Sequence, residues 1–584
     1  MKDQTEQPEL QKAEKPIAGT VSQIDARTIF GDGQIQAAEL IYLIYFSLLL
    51  GARAFGLIEG NTIYNVLFTV SMFLFLVKLV LTDYTVFEYI LIFIFMLTAL
   101  IVYKNTGEKG LILNFSLMLG MKGVSQKRVI CSAFLITATG IITLFLLSSM
   151  GLVKDVYYFQ DRGNGGDFRH ALGYSHANTA QDWAVFLIFL FMMILGRASL
   201  QALIRASLLS FLFSAFFFFY TGSRTGWIIT VIYLILNIVL QARGHLSKIG
   251  GLVCMAEYPV LLGISIAIPL FDETNIFSLL IERGNTLGAR AAIAAQRWQM
   301  SGGPHLFGNR FDYSQLTYGV DLSYLYLFLN LGIIPTILVS VLYFGMIWDQ
   351  IRSQRLGELG VTVSLLLMGM TDPLLFNMST KNLIMIFAGT WIFRETEYWQ
   401  KRMQNRGKST NRVGINLFSN VLRREKNGRR RITLPQRVVR FIAEEINSCI
   451  VVVSNRKVFW RQQLVFLGSA AVCAILFSSM VSKPAVVYSN LNTSEHGILI
   501  GGLESVTMTQ EDVQVAISQG NLVIGYQDET TPMYVYQGNV PLHEYLRNMM
   551  KTAVIAGGAA SVVSLFIYRS AIRKKTRKGV SGAV

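Results

Sequence analysis

TVFEYILIFIFMLTALIVY, residues 85–103, carries one charged side chain, Glu88, in its whole length. As a helix it is about 28 Å long, enough to cross a hydrocarbon layer of roughly 30 Å. Comparable apolar runs lie at 40–57, 66–81, 129–153, 181–196, 203–220, 226–241, 250–270, 322–347, 358–378, 382–393, 464–482 and 550–568. Leu111 to Met121 is too short to span comfortably and reads as re-entrant or as extended by its flanks. With 52% hydrophobic and 15% charged residues, the chain has more apolar surface than a soluble core can bury. The expected fold is an all-α polytopic membrane protein of about 14 transmembrane helices with cytoplasmic N- and C-termini. A small extracytoplasmic β-containing insert is expected near the C-terminus.

Residues 1–35 are polar and mixed in charge, which predicts a cytoplasmic tail and not a cleaved signal peptide. Cys131, Cys254, Cys449 and Cys473 have no CxxC spacing, so neither disulfides nor zinc are expected. The formal charge of +16 has a local origin: Arg394 to Arg461 holds 17 Lys or Arg and 5 Glu. That basic segment, 394–463, and a basic tail, 569–584, suit anionic inner-leaflet lipid, and no nucleic acid partner is expected. Lys122, Lys127, Arg128, Arg197, Arg205, Arg243, Lys248, Arg352 and Arg355 all fall on the inside when the N-terminus is inside.

The loops assigned outside contain few Lys but several Arg: Arg162, Arg169, Arg224, Arg283, Arg290, Arg297 and Arg310. Arg kept against the orientation bias suggests forked recognition of phosphate or carboxylate, with ordinary loop charge as the plain alternative. In the loop 154–181, Arg169 to Thr179 is dense in donors and titrating groups, with His176 a candidate to accept a sugar hydroxyl's proton or, when protonated, to hold an anion. The turn 220–226 holds Ser223, Arg224 and Thr225 before a helix start, where an anion could sit. In the loop 271–321, Arg283, Arg290 and Arg297 recur every seven residues, which on a helix lines them along one face. His305, Arg310, Asp321 and Tyr324 complete the candidates in and just after that loop.

These stretches resemble the Wzy-type polysaccharide repeat-unit polymerases of the O-antigen ligase and polymerase superfamily, over roughly residues 36–393. Arg169 to Asn178 is similar to the family's R-x-x-LGF-x-HPN element, with Tyr174 for Phe and Ala177 for Pro. Gly222 to Gly226 resembles its SRTG element, Arg290 with Trp298 its Arg and downstream Trp, and Gly308 followed by Asp321-Leu322-Ser323-Tyr324 its G…D-x-S-Y element. Arg162 to Gly173 and Arg297 to Gly308 also fit an Arg-x10-Gly spacing.

The resemblance implies a metal-independent glycosyltransferase of the bacterial cytoplasmic membrane that needs no cofactor. It would move a polyprenyl-diphosphate-linked glycan chain onto a sugar hydroxyl of the next lipid-linked repeat unit, in capsule or exopolysaccharide biosynthesis. His176, Arg169, Arg224 and Arg290 would then be catalytic. Asn178, Arg283, Arg297, His305, Arg310, Asp321 and Tyr324 would bind the lipid-linked oligosaccharide. A flippase and a chain-length regulator would be pathway partners, and His176, Asp167, Glu282 and Asp321 are the groups that could take the acceptor's proton.

The resemblance ends near Arg394. Beyond the basic segment, two spans within 464–568 flank an outer segment, 484–548, whose alternation at 497–506 and 521–526 predicts strands. Two other readings stay open: a glycopolymer ligase of the same superfamily, and a secondary transporter or lipid-linked glycan flippase. A transporter would place ionisable groups or broken helices near the bilayer midplane.

Overall fold

Polar caps start the helices inside otherwise apolar runs. Thr85 and Glu88 form a reciprocal capping box, Glu88 accepting from the Thr85 amide at 2.8 Å, and Asn61, Ser199 and Ser247 each accept from an amide of the following turn. Gly107, Gly222 and Gly244 end three helices in the left-handed conformation.

A computed structural model describes residues 34–160, 167–270, 286–311, 320–405, 431–433, 435–481 and 540–581, with residue 518 and five short strands between 487 and 536. The strand β1 (Gln34–Gln36) leads into α1 (Ala37–Ala54), α2 (Thr62–Val80), α3 (Val86–Thr106), α4 (Gly110–Leu119) and α5 (Gln126–Ser149). A hairpin of β2 (Tyr157–Gln160) and β3 (Asp167–His170) precedes α6 (Ala177–Leu195), α7 (Leu200–Thr221), α8 (Arg224–Arg243) and α9 (Lys248–Ala267). After α10 (Thr286–Ser301) come α11 (Ile333–Arg352), α12 (Leu356–Met368) and α13 (Leu383–Asn405). The remainder comprises β4 (Arg431–Thr433), α14 (Gln436–Ser454), α15 (Arg456–Met480), strands β5 (Val487–Asn490), β6 (Gly497–Leu499), β7 (Glu504–Ser505), β8 (Leu522–Tyr526) and β9 (Pro532–Tyr536), and α16 (Val540–Ser581).

Eleven of the described helices are long and apolar enough to cross a membrane. Phe73, Phe93, Ile235 and Val341 point outward from the bundle, where a soluble protein would carry charge. The protein is an all-α polytopic membrane protein. About fourteen full spans were expected, and the difference lies in three runs. The helices α4 and α12 have 10 and 13 residues, and α13 turns polar after Phe393. The run beginning at 322 starts its span only at Ile333, after a π-helical turn, Tyr326–Leu331.

The short crossings still connect the two ends of the bundle. Lys109, just before α4, pairs with Glu59 at 3.2 Å, whereas Lys122, just after it, pairs with Glu88. Every residue of α4 except Ile112 is buried, as its all-round apolar sequence requires. Gly110 is needed there, because a Cβ would lie 1.9 Å from the Phe376 carbonyl oxygen.

Charges segregate by end. At one end Lys78 donates to Thr82 and to the Lys122 carbonyl, Arg128 pairs with Glu39, and Arg355 and Arg394 share Asp349. The loops bearing Arg169, Arg224, Arg290 and His305 gather at the other.

The C-terminal addition is fixed to the core at both ends. At the first, β4 pairs antiparallel with β1, and Arg205 donates from Nε and Nη2 to the Val453 and Ser454 carbonyls at the end of α14 (2.6 and 2.9 Å). The helices α15 and α16 pack on each other, and the strands between them form an antiparallel sheet ordered β7-β6-β5-β9-β8.

Candidate functional site

At 1.5 Å per residue α12 is about 20 Å long against about 36 Å for α5, and the irregular connection 369–382 that follows it borders a recess. Its backbone has internal partners, as irregular backbone within a membrane protein needs. Ser323 Oγ donates to the Asp372 carbonyl and accepts from the Leu375 amide (2.5 and 3.3 Å). Asn382 Nδ2 donates to the Leu375 carbonyl at 2.6 Å, and Asn114 Nδ2 to the Asn377 carbonyl at 3.3 Å.

The recess is a cavity of about 170 Å³ whose charged lining is Arg53, Asp182, Asp372 and Lys381, with Tyr174 and Trp183 among its walls. Asp182, in the second turn of α6, accepts from Lys381 Nζ at 3.0 Å, and both side chains are buried. The Lys381 ammonium also lies 5.6 Å from the centre of the Trp183 ring. Asp372 hydrogen-bonds Asp182, and burial, Asp182 and Asp321 push its pKa well above the usual carboxylate range, against Lys381. Tyr174 is held by its hydroxyl donating to the Ala54 carbonyl at 3.1 Å.

None of the candidate site residues singled out in the sequence lines this recess, but Ser175 and Thr179, which do, bracket His176 and Asn178. Arg169 donates from Nε to the Thr221 carbonyl at 2.6 Å and from Nη2 to Asn178 Oδ1, tying the start of α6 to the turn before α8. Arg224, the first residue of α8, is exposed and makes no hydrogen bond or ion pair with another described residue. His176 caps α6, its Nδ1 accepting from the Asn178 amide at 3.1 Å. Its ring keeps solvent access in a crowded concavity, where burial and Arg169 lower its pKa against Asp182 and Asp321. Arg290 donates from Nε to Asp321 at 3.1 Å. Asp321 acts electrostatically on both His176 and Asp372, which joins the α10 loop to the rim and the recess.

Other expectations are corrected or refined. Tyr324 is wholly buried, its hydroxyl donating to the Leu366 carbonyl at 2.7 Å, so it packs in the core and does not face a substrate. Arg297 is 1% exposed and lies 5.3 Å from the Phe311 ring centre, so no solvent-facing strip joins it to Arg290. The seven-residue spacing fails because helix α10 is covered on the side Arg297 occupies. His305 and Arg310 are exposed on a loop fixed to the start of α11, Ile333 donating to the His305 carbonyl at 3.0 Å. Arg162, Glu282 and Arg283 lie outside the described residues.

A second charged cluster borders the rim. Arg547 of α16 pairs with Asp167 at 2.6 Å and with Glu544, and His170 lies between Asp155 and Glu544 at 3.2 and 3.1 Å. His543 adds a contact to Asp167 at 3.1 Å. Tyr220 donates to the Arg547 carbonyl, so α16, the β2–β3 hairpin and the end of α7 meet one residue from Arg169. Burial opposes a charge on His170, but Glu544 and Asp155 raise its pKa above the ordinary imidazole value.

Sequence reasoning missed Arg53, Asp182, Asp372 and Lys381. The available signal was ionisable residues inside or against apolar runs, which in a membrane protein are functional candidates. Among the described residues no group of three or more His, Cys, Asp or Glu is arranged to hold a metal ion.

Fold and site define a multi-pass helical membrane protein with an Arg- and carboxylate-lined recess at one end of its bundle. No protein-family model, curated protein or solved structure matches the chain.

Proposed function

We propose that this protein polymerises lipid-linked oligosaccharides in the bacterial cytoplasmic membrane, moving a glycan from polyprenyl diphosphate to a sugar hydroxyl of the next repeat unit on the outer face. The observation that carries the reading is that Arg169, tied to the Thr221 carbonyl just before Arg224, and the Arg290–Asp321 pair lie at the same end of the bundle as the recess. Guanidiniums at that end complement the charge that develops on a diphosphate leaving group. Arg169 is already oriented by Thr221 and Asn178, so little reorganisation accompanies the reaction. The order of the resembling elements along the chain supports the same chemistry.

A strain lacking the gene should accumulate single lipid-linked repeat units and lose its polysaccharide ladder on a gel. The wild-type protein should restore the ladder, and His176→Ala, present at normal levels, should not. Normal polymer in the deletion strain would overturn the reading and favour transport. The topology is tested separately in a background with Cys131, Cys254, Cys449 and Cys473 replaced. Arg310→Cys should react with an impermeant maleimide in intact cells, and Lys457→Cys only after permeabilisation. The reverse pattern would put the recess on the cytoplasmic side and end the mechanism.

A further inference from the structure

We infer that the recess beneath His176 is the subsite for the acceptor sugar, and that the Asp182–Asp372 carboxyl pair takes the proton of the attacking hydroxyl. This rests on the glycosyl-transfer reading above and deepens it.

The first observation concerns His176. Its Nδ1 accepts the Asn178 amide hydrogen, so a neutral ring carries its own hydrogen on Nε2. That edge is a donor, suited to a diphosphate oxygen and unsuited to accepting the hydroxyl proton. The proton therefore needs another acceptor near the rim.

Asp321 is engaged by Arg290, and its side chain is 45% exposed. Asp182 and Asp372 instead face the cavity together. Both carboxyls line one cavity, and burial together with the Asp182 charge raises the Asp372 pKa well above the usual carboxylate range, so Asp372 holds a proton beside the Asp182 carboxylate. The remaining negative charge is balanced by Lys381, which is fixed on Asp182 at 3.0 Å. With Arg53 also in the lining, the site carries enough positive charge to hold the remaining carboxylate ionised until it takes the hydroxyl proton.

Size and lining agree with a sugar. A cavity of about 170 Å³ has room for a sugar ring. Asn377, Ser379 and Thr179 supply hydroxyl and amide partners, and Tyr174 and Trp183 supply apolar walls.

In the transfer, the acceptor oxygen forms a bond to the anomeric carbon as that carbon's bond to the diphosphate oxygen breaks. The bonding pair leaves with the diphosphate. The hydroxyl proton passes to the carboxyl pair, which becomes doubly protonated and then releases a proton to water at the mouth.

The test uses full-length protein in membranes and lipid-linked oligosaccharide isolated from a strain lacking the gene. Asp182→Asn and Asp372→Asn should each slow chain extension about a hundredfold, the lower end of what a positioned base contributes. The wild-type rate should fall on the acid side, and His176→Gln should keep that pH profile at a reduced rate. Because removing one partner of a buried ion pair can unfold a protein, the double variant Asp182→Asn with Lys381→Met is the second arm. It should migrate as folded protein and still extend chains about a hundredfold more slowly. Wild-type rates in these carboxyl variants, or a pH dependence abolished by His176→Gln, would overturn the recess as the proton acceptor while leaving polymerisation standing. Failure of the wild-type protein to extend this substrate at all would instead remove the glycosyl-transfer reading, and this inference with it.

Discussion

Arg169→Ala is expected to lower chain extension about a thousandfold in membranes containing normal amounts of protein. One oxyanion-stabilising donor is typically worth ~10²–10³ in rate, and this residue also positions its neighbours. Its Nε and Nη2 hold the Thr221 carbonyl and Asn178, so its loss releases both the turn before α8 and the start of α6. Arg169→Lys should recover little, since an ammonium cannot make two divergent contacts from a planar fork. The stability cost of the lost bonds is about 1–3 kcal/mol, small enough to leave a folded protein. Single-turnover rates should fall with little change in substrate binding. Near-wild-type rates for Arg169→Ala would mean that the guanidinium is only a strut of the loop.

Arg547→Ala is expected to destabilise the docking of α16 by about 3–5 kcal/mol, the usual result of breaking a buried pair from one side. Arg547 is 4% exposed and contacts Asp167 and Glu544, so its removal leaves Glu544 buried with His170 and Asp167 with His543 as their remaining side-chain partners against the hairpin that carries Arg169. Faster proteolysis at the hairpin and a lower melting temperature in detergent should report it. Neutralising the two carboxylates, with Asp167→Asn and Glu544→Gln added, should restore part of the loss. An unchanged melting temperature in Arg547→Ala would show that α15 holds α16 in place unaided. Deleting 484–584 removes Glu544 and Arg547 together, so loss of polymer is expected from that truncation, and not merely a change in chain length.

The same cluster has a pH signature. His170 has a raised folded-state pKa, so its charge stabilises the latch fully below the unfolded value of about 6.5. That contribution is lost as pH rises through the folded pKa. Asp155 and Glu544 are the acidic groups that face the ring, with Arg547 beyond Glu544. The melting-temperature difference between wild type and His170→Gln should therefore be largest on the acid side.

The reading of loops and the reading of spans differ in how much each could reveal. Arg169, Asn178, His176, Arg224 and Arg290 were visible because Arg and His stand out in short polar connections between apolar runs. The bonds that tie Arg169 to Asn178 and to the turn before Arg224 were not visible, because they depend on which helices are neighbours. Tyr324 and Arg297 looked like loop chemistry, yet packing buries both. Spacing gives the angle of a side chain on its helix but not what covers that angle. Asp182 and Lys381 were hidden for the opposite reason. Each sits at the edge of an apolar run, 199 residues apart, and looks like an isolated boundary charge until the fold pairs them.

The sequence by itself determined that the chain is a bundle of membrane helices, since apolar runs of about twenty residues have no alternative that satisfies their backbone in lipid. It also determined which connections between the runs carry the cations. Only the tertiary structure decided that α4 and α12 fall short of full length, that the connection 369–382 borders a recess, and that α16 locks onto the hairpin beside Arg169. Hydropathy measures the solvent a segment prefers, whereas the recess and the latch come from side-chain contacts between segments hundreds of residues apart.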